Sequence, residues 1–153
     1  MKKEITLVRT FDAPREKVWA AWTDPKELAK WWSPQGVTNP TSEVDLRVGG
    51  TLYVVMLAGK ELGPMAGQHW PMRGTFVEIM PPERLVFENN ALDEAGNVLL
   101  GGMTTVVLDD EGGKTKMTLT TGAEGTAPGT DQMLAGMQTG WEQSLDKLKT
   151  LLN

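Results

Sequence analysis

The chain has 153 residues, no cysteine and a formal net charge of −5 at pH 7. The lack of cysteine excludes disulfides, thiol nucleophiles and thiolate metal ligands, and it suits a reducing cytoplasm. A negative charge spread without long runs disfavours nucleic acid binding, which needs a basic surface. We therefore expect one cytoplasmic domain over residues 1–153, long enough to bury a core.

We expect neither a secretion signal nor a membrane span. The N-terminal residues lead into the alternating segment Ile5–Arg9, which is too short and too polar for a signal peptide. The longest strongly apolar run, Leu52–Ala58, is about a third of the length that a membrane helix needs. The protein is therefore not expected to associate with a membrane.

A strand and a first helix are predicted at the N-terminus. Apolar and polar residues alternate up to Phe11, as in a half-buried strand. Pro14 suits the first turn of a helix, where its missing N–H costs nothing. Val18, Trp19 and Trp22 then follow at spacings of three and four, which places them on one side of that helix.

A second, short helix is predicted directly after the first. Asp24 can cap it and Pro25 suits its first position, while Glu27 stands three residues after the cap, as in a capping box. Leu28 and the pair Trp31–Trp32 would form its apolar face.

The middle of the chain is predicted to form an antiparallel meander. Gly49-Gly50 favours a hairpin turn, a loop is expected over Gly59–Gly67, and Pro81-Pro82 ends an extended run. Polar and glycine-rich turns at Asp93–Asn97 and Asp110–Gly113 separate further strands. The total is about seven strands, with predicted segments at Ile5–Phe11, Val44–Val48, Thr51–Ala58, His69–Met80, Arg84–Asn89, Met103–Leu108 and Thr115–Thr121.

A long closing helix is predicted at the C-terminus. Gly122–Gly129 is expected to be a flexible connector, and Thr130 a cap for the helix that starts at Asp131. Apolar residues then recur every three or four positions over about 22 residues: Leu134, Met137, Trp141, Leu145, Leu148 and Leu152.

Two glycines interrupt this helix. Gly136 and Gly140 each cost about 1 kcal/mol relative to alanine in a helix interior. Either a strand packs closely against them, or they leave space under the helix.

In combination, these segments resemble the START/birch-pollen-allergen superfamily, and within it the single-domain relatives of the activator of the heat-shock protein 90 ATPase. The resemblance extends from about Ile5 to Leu152. It is carried by Phe11–Pro14 with Val18-Trp19, by Trp22–Pro25 with Leu28 and Trp31-Trp32, by Gly49-Gly50, by Pro81–Phe87, and by Gly140-Trp141 with Ser144, Leu145 and Leu148.

The resemblance implies an α+β helix-grip fold. In this fold a curved antiparallel sheet of about seven strands wraps around a long C-terminal helix, with two short helices after the first strand and a pocket beneath the closing helix. Members of the wider superfamily bind sterols or polyketides, resist antibiotics, cyclise aromatics or stimulate a chaperone. The resemblance therefore implies a small hydrophobic molecule as partner, with a chaperone and the stress response as the alternative.

Residues for chemistry are scarce. The single histidine, His69, can supply at most one metal bond, so no metal site and no cofactor are expected. Gly113-Lys114-Thr115 has the end of a phosphate-loop pattern, but Leu108 stands where the pattern requires glycine. A hairpin turn is the better interpretation of that segment.

Several side chains are candidates for the wall of a hydrophobic cavity between the closing helix and the sheet. His69 opens a strand after a loop and is either near the entrance or an ordinary surface residue. Arg73 is either an inward ligand contact or an outward residue, because strand register decides its face. The candidate lining residues are Trp32, Tyr53, His69, Arg73, Phe87, Met103, Met133, Met137 and Trp141.

The leading hypothesis is noncovalent binding of a small, mainly apolar ligand. The alternatives are a chaperone-associated interaction module and a polyketide cyclase-like enzyme that uses His69 or Arg73. We expect no catalysis, because general acid–base chemistry needs a titrating group near the substrate and most carboxylates fall in predicted turns, caps or polar strand positions.

Overall fold

The computed structural model describes residues 2–125 and 129–153. Within these residues the chain forms seven strands and three α-helices. They are β1 (Lys2–Phe11), α1 (Arg15–Thr23), α2 (Pro25–Trp31), β2 (Val37–Val44), β3 (Thr51–Ala58), β4 (His69–Met80), β5 (Arg84–Leu92), β6 (Val98–Glu111), β7 (Lys114–Glu124) and α3 (Thr130–Leu152). A short 3₁₀ helix over Lys60–Met65 lies in the loop between β3 and β4.

The seven strands form one antiparallel sheet in the order β1-β7-β6-β5-β4-β3-β2. Strands β2 to β7 follow each other as a meander, and β1 lies beside the last strand. Alternate residues point to a buried inner face, for example Leu7 on β1 and its register partner Leu119 on β7. The predicted helix-grip fold of a curved sheet, a closing helix and two short helices is confirmed.

Helix α3 covers the inner face of this sheet. Leu134, Leu145, Leu148 and Leu152 are buried on one side of it, as the predicted stripe requires. The helix packs against β1, α1 and α2. Burial of each leucine is worth about 1.5–3 kcal/mol relative to an exposed position. Among the helices of the described residues, none is long and apolar enough to cross a membrane.

Helices α1 and α2 are joined by tryptophan packing and by a cap. The rings of Trp22 and Trp31 meet edge to face with centroids 4.6 Å apart, and Trp31 Nε1 donates a hydrogen bond to the carbonyl of Ala21 at 2.8 Å. The predicted Asp24 cap is confirmed, because its Oδ1 accepts from the backbone N–H of Lys26 at 2.9 Å.

The expected capping box at the start of α2 is wrong. The Asp24 N–H, which the box would need, already donates to Ala20 O at the end of α1. Glu27 instead pairs with Lys30 Nζ at 2.9 Å. The two helices follow each other too closely for the box to form.

The strand predicted at Val44–Val48 is displaced along the chain. The structure places β2 at Val37–Val44, and the following residues form a loop in which Asp45 N donates to Thr51 O at 2.9 Å. Because proline disfavours a strand, Pro40 is the reason that the sequence pattern did not predict a strand here. The residue lies at an irregularity of the edge strand β2, where a missing backbone donor is tolerated.

The start of α3 also differs from the prediction. Strand β7 continues through the first part of the predicted connector to Glu124, and residues 126–128 of that connector lie outside the described residues. Thr130 is the first helical residue rather than the cap. The cap position is Gly129, whose φ of 89° is a left-handed conformation that glycine adopts without strain.

The segment with phosphate-loop character is a hairpin turn, as predicted. Gly112 and Gly113, with φ of 68° and 93°, connect β6 to β7. Positive φ at both central residues is the geometry of a tight hairpin whose twist matches that of its strands.

Replacing Gly136 or Gly140 of α3 by alanine is expected to stabilise the protein by about 0.5–1 kcal/mol at each site. A Cβ atom at either position meets no atom within 4 Å, so alanine adds helix propensity without a clash. Urea unfolding of the single variants measures the gain. Gly59→Ala is the control of opposite sign, because its Cβ would lie 2.6 Å from the carbonyl oxygen of Gly36. A loss of stability in both helix variants would contradict the open space around the two glycines.

Candidate binding cavity

A partly enclosed cavity of about 220 Å³ lies between α3 and the inner face of the sheet. Its walls come from the loop after α2, from strands β3 to β7 and from α3. The lining residues are Trp32, Ser33, Pro34, Met56, Met72, Asn89, Ala91, Leu100, Thr121, Ala123, Met137, Gly140, Trp141 and Ser144. None of these side chains carries a charge, so the space is mainly apolar with a few neutral polar groups.

An aromatic cluster forms one end of the cavity. Trp141 of α3 meets Trp32 edge to face at 5.2 Å, and its other neighbour is Trp22, which it stacks at 6.3 Å with an interplanar angle of 23°. Phe87 of β5 packs behind Trp32 at 6.3 Å. These contacts hold α3 against α1, α2 and the sheet at this end.

Beyond the aromatic cluster, the side chains of α3 do not fill the space between this helix and the sheet. Gly140 lines the cavity without a side chain, and Met137 lies one turn away on the same side of α3. Of the two possibilities left open for Gly140, space under the helix is the correct one.

Hydrogen bonds hold the loop after α2, which we call the rim, in place beside the cavity. Ser33 has a φ of 144°, which is rare for a residue with a side chain. Its backbone N–H donates to Ser144 Oγ at 3.1 Å, and its hydroxyl donates to the carbonyl of Val37 at 3.0 Å. These bonds attach the rim to α3 and to the start of β2.

Lys147 adds a second attachment of the rim. Its ammonium donates to the carbonyl oxygens of Pro34 and Val37 at 3.0 and 3.1 Å and to Ser33 Oγ at 3.3 Å. Burial lowers the pKa of Lys147, because the charged form loses water there. The lysine is therefore part of the architecture of the rim and does not line the cavity.

A row of hydrogen-bonded polar side chains crosses the inner face of the sheet, which forms the floor of the cavity. Thr104 Oγ1 donates to Asn89 Oδ1 at 2.7 Å and lies 2.8 Å from Thr121 Oγ1. Asn89 and Thr121 line the cavity, whereas Thr104 is completely buried between them. The floor thus carries a small polar group among apolar side chains.

Three of the nine predicted site residues line the cavity, namely Trp32, Met137 and Trp141. Phe87 is fully buried behind the aromatic wall instead of on its surface. A ligand contact by the three lining residues stays a prediction, since the structure establishes only their place.

Tyr53 and Arg73 face away from the cavity. They are register partners on β3 and β4, and the Arg73 guanidinium lies 5.0 Å from the centre of the Tyr53 ring on the outer face of the sheet. The neighbours Leu52 and Met72 take the buried inner positions. Of the two faces left open for Arg73 the structure has the outer one, and Tyr53, also a candidate lining residue, lies beside it there.

His69, Met103 and Met133 also lie outside the cavity. His69 is exposed at the start of β4. Met103 and Met133 are 42% and 39% exposed, the first on the outer face of β6 and the second on the outer side of α3. Within the described residues no group of three or more His, Asp or Glu side chains could hold a metal ion.

Sequence reasoning missed Asn89 and Ala91 on the sheet floor, although a signal was present. Phe87 is an apolar residue in a strand, and every second residue after it points to the same face. Extending that alternation finds Asn89 and Ala91. The prediction ended the strand at Asn89, whereas β5 runs to Leu92.

Solved structures of similar proteins share this architecture. A protein from Chromobacterium violaceum is 30% identical with a TM-score of 0.78, over 97% of this chain and 96% of the other. A protein from Arthrobacter aurescens is 27% identical with a TM-score of 0.81, over 97% and 85%. The protein from Silicibacter pomeroyi named AHSA1 is 24% identical with a TM-score of 0.79 over 98% and 97%, a likeness of fold alone.

No match was found among curated proteins. Residues 12–153 match the family described as "Activator of Hsp90 ATPase homolog 1-like protein". The match begins at the residue after β1 and extends through the whole of α3, and so includes every residue named above as lining the cavity. The chain therefore belongs to the family of Activator of Hsp90 ATPase homolog 1-like proteins.

Proposed function

We propose that this protein binds a small, mainly apolar molecule noncovalently in the cavity beneath α3. The observation that carries this proposal is an unfilled space of about 220 Å³ with largely apolar walls. An engineered apolar cavity of about 150 Å³ is enough to bind benzene, whereas pockets for drug-sized ligands are about 300–1,000 Å³. The size therefore favours a ligand of one or two rings.

The chemistry of the walls supports binding rather than catalysis. General acid–base catalysis needs a titratable group within hydrogen-bond reach of the substrate. Within residues 2–125 and 129–153, no titratable side chain lines the cavity, and His69 and Arg73 lie elsewhere. The absence of cysteine supports the cytoplasm as the place of this function.

The neutral hydrocarbon 2-isopropenylnaphthalene is expected to bind in this cavity, and Gly140→Leu is expected to weaken that binding. The leucine side chain would occupy the space that the glycine leaves open. An affinity loss of about tenfold or more, equivalent to about 1.4 kcal/mol, is expected. Titration followed by ¹H–¹⁵N NMR of the protein measures the affinity and shows which amides respond.

Gly136→Leu is the matched control for this experiment. It makes the same change one turn earlier in α3, at an exposed glycine that does not line the cavity. Its affinity for the probe should equal that of the wild type. Equal weakening by both variants, or shifts confined to the outer face of the sheet, would contradict binding beneath α3.

Stimulation of a chaperone ATPase is a second candidate function, supported by the description of the family to which the chain belongs. On this hypothesis, adding the purified protein to purified Hsp90 raises the rate of ATP hydrolysis. A competitive Hsp90 ATP-site inhibitor should abolish the increase, which is the control for contaminating ATPases. An unchanged rate, together with no complex in analytical ultracentrifugation, would exclude this candidate.

A further inference from the structure

Asn89 is the accessible polar side chain at the centre of the sheet floor. Its register partners on the two neighbouring strands are Gly74 and Gly102. A Cβ at Gly74 would collide with the carbonyl oxygen of Glu88, and one at Gly102 with the carbonyl oxygen of Gly122. Because close backbone approach imposes glycine on both sides, no neighbouring side chain in this row covers Asn89.

The hydrogen bonds of Asn89 determine which end of its amide is available. The single hydroxyl proton of Thr104 is donated to Asn89 Oδ1 at 2.7 Å. Thr104 Oγ1 must therefore accept its other hydrogen bond, at 2.8 Å, from Thr121. This row of hydrogen bonds occupies the amide oxygen of Asn89 and fixes the orientation of the amide.

The amide nitrogen is the free end. Asn89 Nδ2 has no hydrogen-bond partner within residues 2–125 and 129–153, and it is not among the buried polar atoms that lack one. Since Asn89 lines the cavity, its N–H donors are available to a molecule bound there. An occupant that covered this amide without offering an acceptor would leave a buried donor unpaired, which costs free energy.

We propose that Asn89 Nδ2 donates a hydrogen bond to a neutral carbonyl oxygen of the ligand. The pocket would then select small apolar ketones, aldehydes or esters over hydrocarbons of the same shape. Neutrality follows from the walls, because no charged side chain is among the described residues that line the cavity, and an unpaired carboxylate would be costly to bury there. This inference rests on the proposed function and names the ligand class for the same cavity.

A pair of matched probes tests the proposal. 2-Acetylnaphthalene carries a carbonyl group where 2-isopropenylnaphthalene carries a carbon–carbon double bond of similar shape. Asn89→Ala should weaken binding of the ketone by about 3- to 10-fold, the range of one net hydrogen bond. Binding of the hydrocarbon should stay unchanged or become stronger, because the variant removes the donor that the hydrocarbon leaves unpaired. The hydrocarbon thus controls for any general disturbance of the pocket.

Asn90→Ala is the matched control variant. Asn90 is the next residue on β5 and the same residue type, and alternation along the strand points it to the opposite face of the sheet. This variant should bind both probes like the wild type.

The outcomes separate the inference from the proposed function. If neither probe binds the wild type, the proposed function fails. If the hydrocarbon binds but Asn89→Ala weakens both probes equally or neither, the binding function stands and the role of Asn89 is overturned.

If Asn89→Ala does not fold, the infrared spectrum of the ketone bound to the wild type decides. A carbonyl stretch at lower frequency than in heptane is expected, with ¹³C labelling of the carbonyl to assign the band and free ketone in buffer as the second reference. A bound frequency equal to that in heptane would overturn the proposal.

Discussion

The tryptophan cluster where α1, α2 and α3 meet is the packing on which the cavity depends. Trp22 touches Trp31, Trp32, Trp141 and Phe87 with ring centroids between 4.6 and 6.4 Å. Large rigid rings contribute much buried area and fix the distance between the elements that carry them. Because these rings hold α3 over the sheet at one end, the next turn of the helix does not have to fill the space beneath it.

The stability of the domain comes mainly from the parts of the inner face outside the cavity. Leu145, Leu148 and Leu152 bury the C-terminal half of α3, while Met137 and Gly140 face the open space nearer its N-terminus. A cavity deprives its lining atoms of dispersion contacts, so an empty one is a cost to the fold. Gly140 leaves this space open at that cost, which fits the ligand binding that we propose.

The rim and the floor give the cavity two different kinds of polar group. Around Ser33 the hydrogen bonds are satisfied within the protein, through Ser144, Val37 and Lys147, and they hold a strained loop in place. At Asn89 only the amide oxygen is used internally. The first arrangement fixes one wall of the cavity, whereas the second leaves a hydrogen-bond donor that faces the cavity.

Much of the fold could be predicted from local patterns. The alternation in β1, the capping and proline signals around Asp24 and the stripe from Leu134 to Leu152 each reflect a property of neighbouring residues, so the sequence alone was sufficient. The pattern failed at β2, where Pro40 interrupts an edge strand that pairs with β3 and packs against α2. It also failed at Thr130, because the cap lies at a glycine with left-handed backbone.

The sequence by itself determined the order of strands and helices and which residues of α3 face the sheet, and its resemblance to a known superfamily implied the helix-grip architecture. The tertiary structure alone decided which side chains form the cavity. Tyr53 and Arg73 lie on the outer face of the sheet, whereas Asn89 lies on the inner face and lines the cavity. A shift of one residue along a strand exchanges these two faces. Register is set by hydrogen bonding between separate strands, and the space under α3 depends on contacts among several elements, so neither can be found in the pattern of one segment.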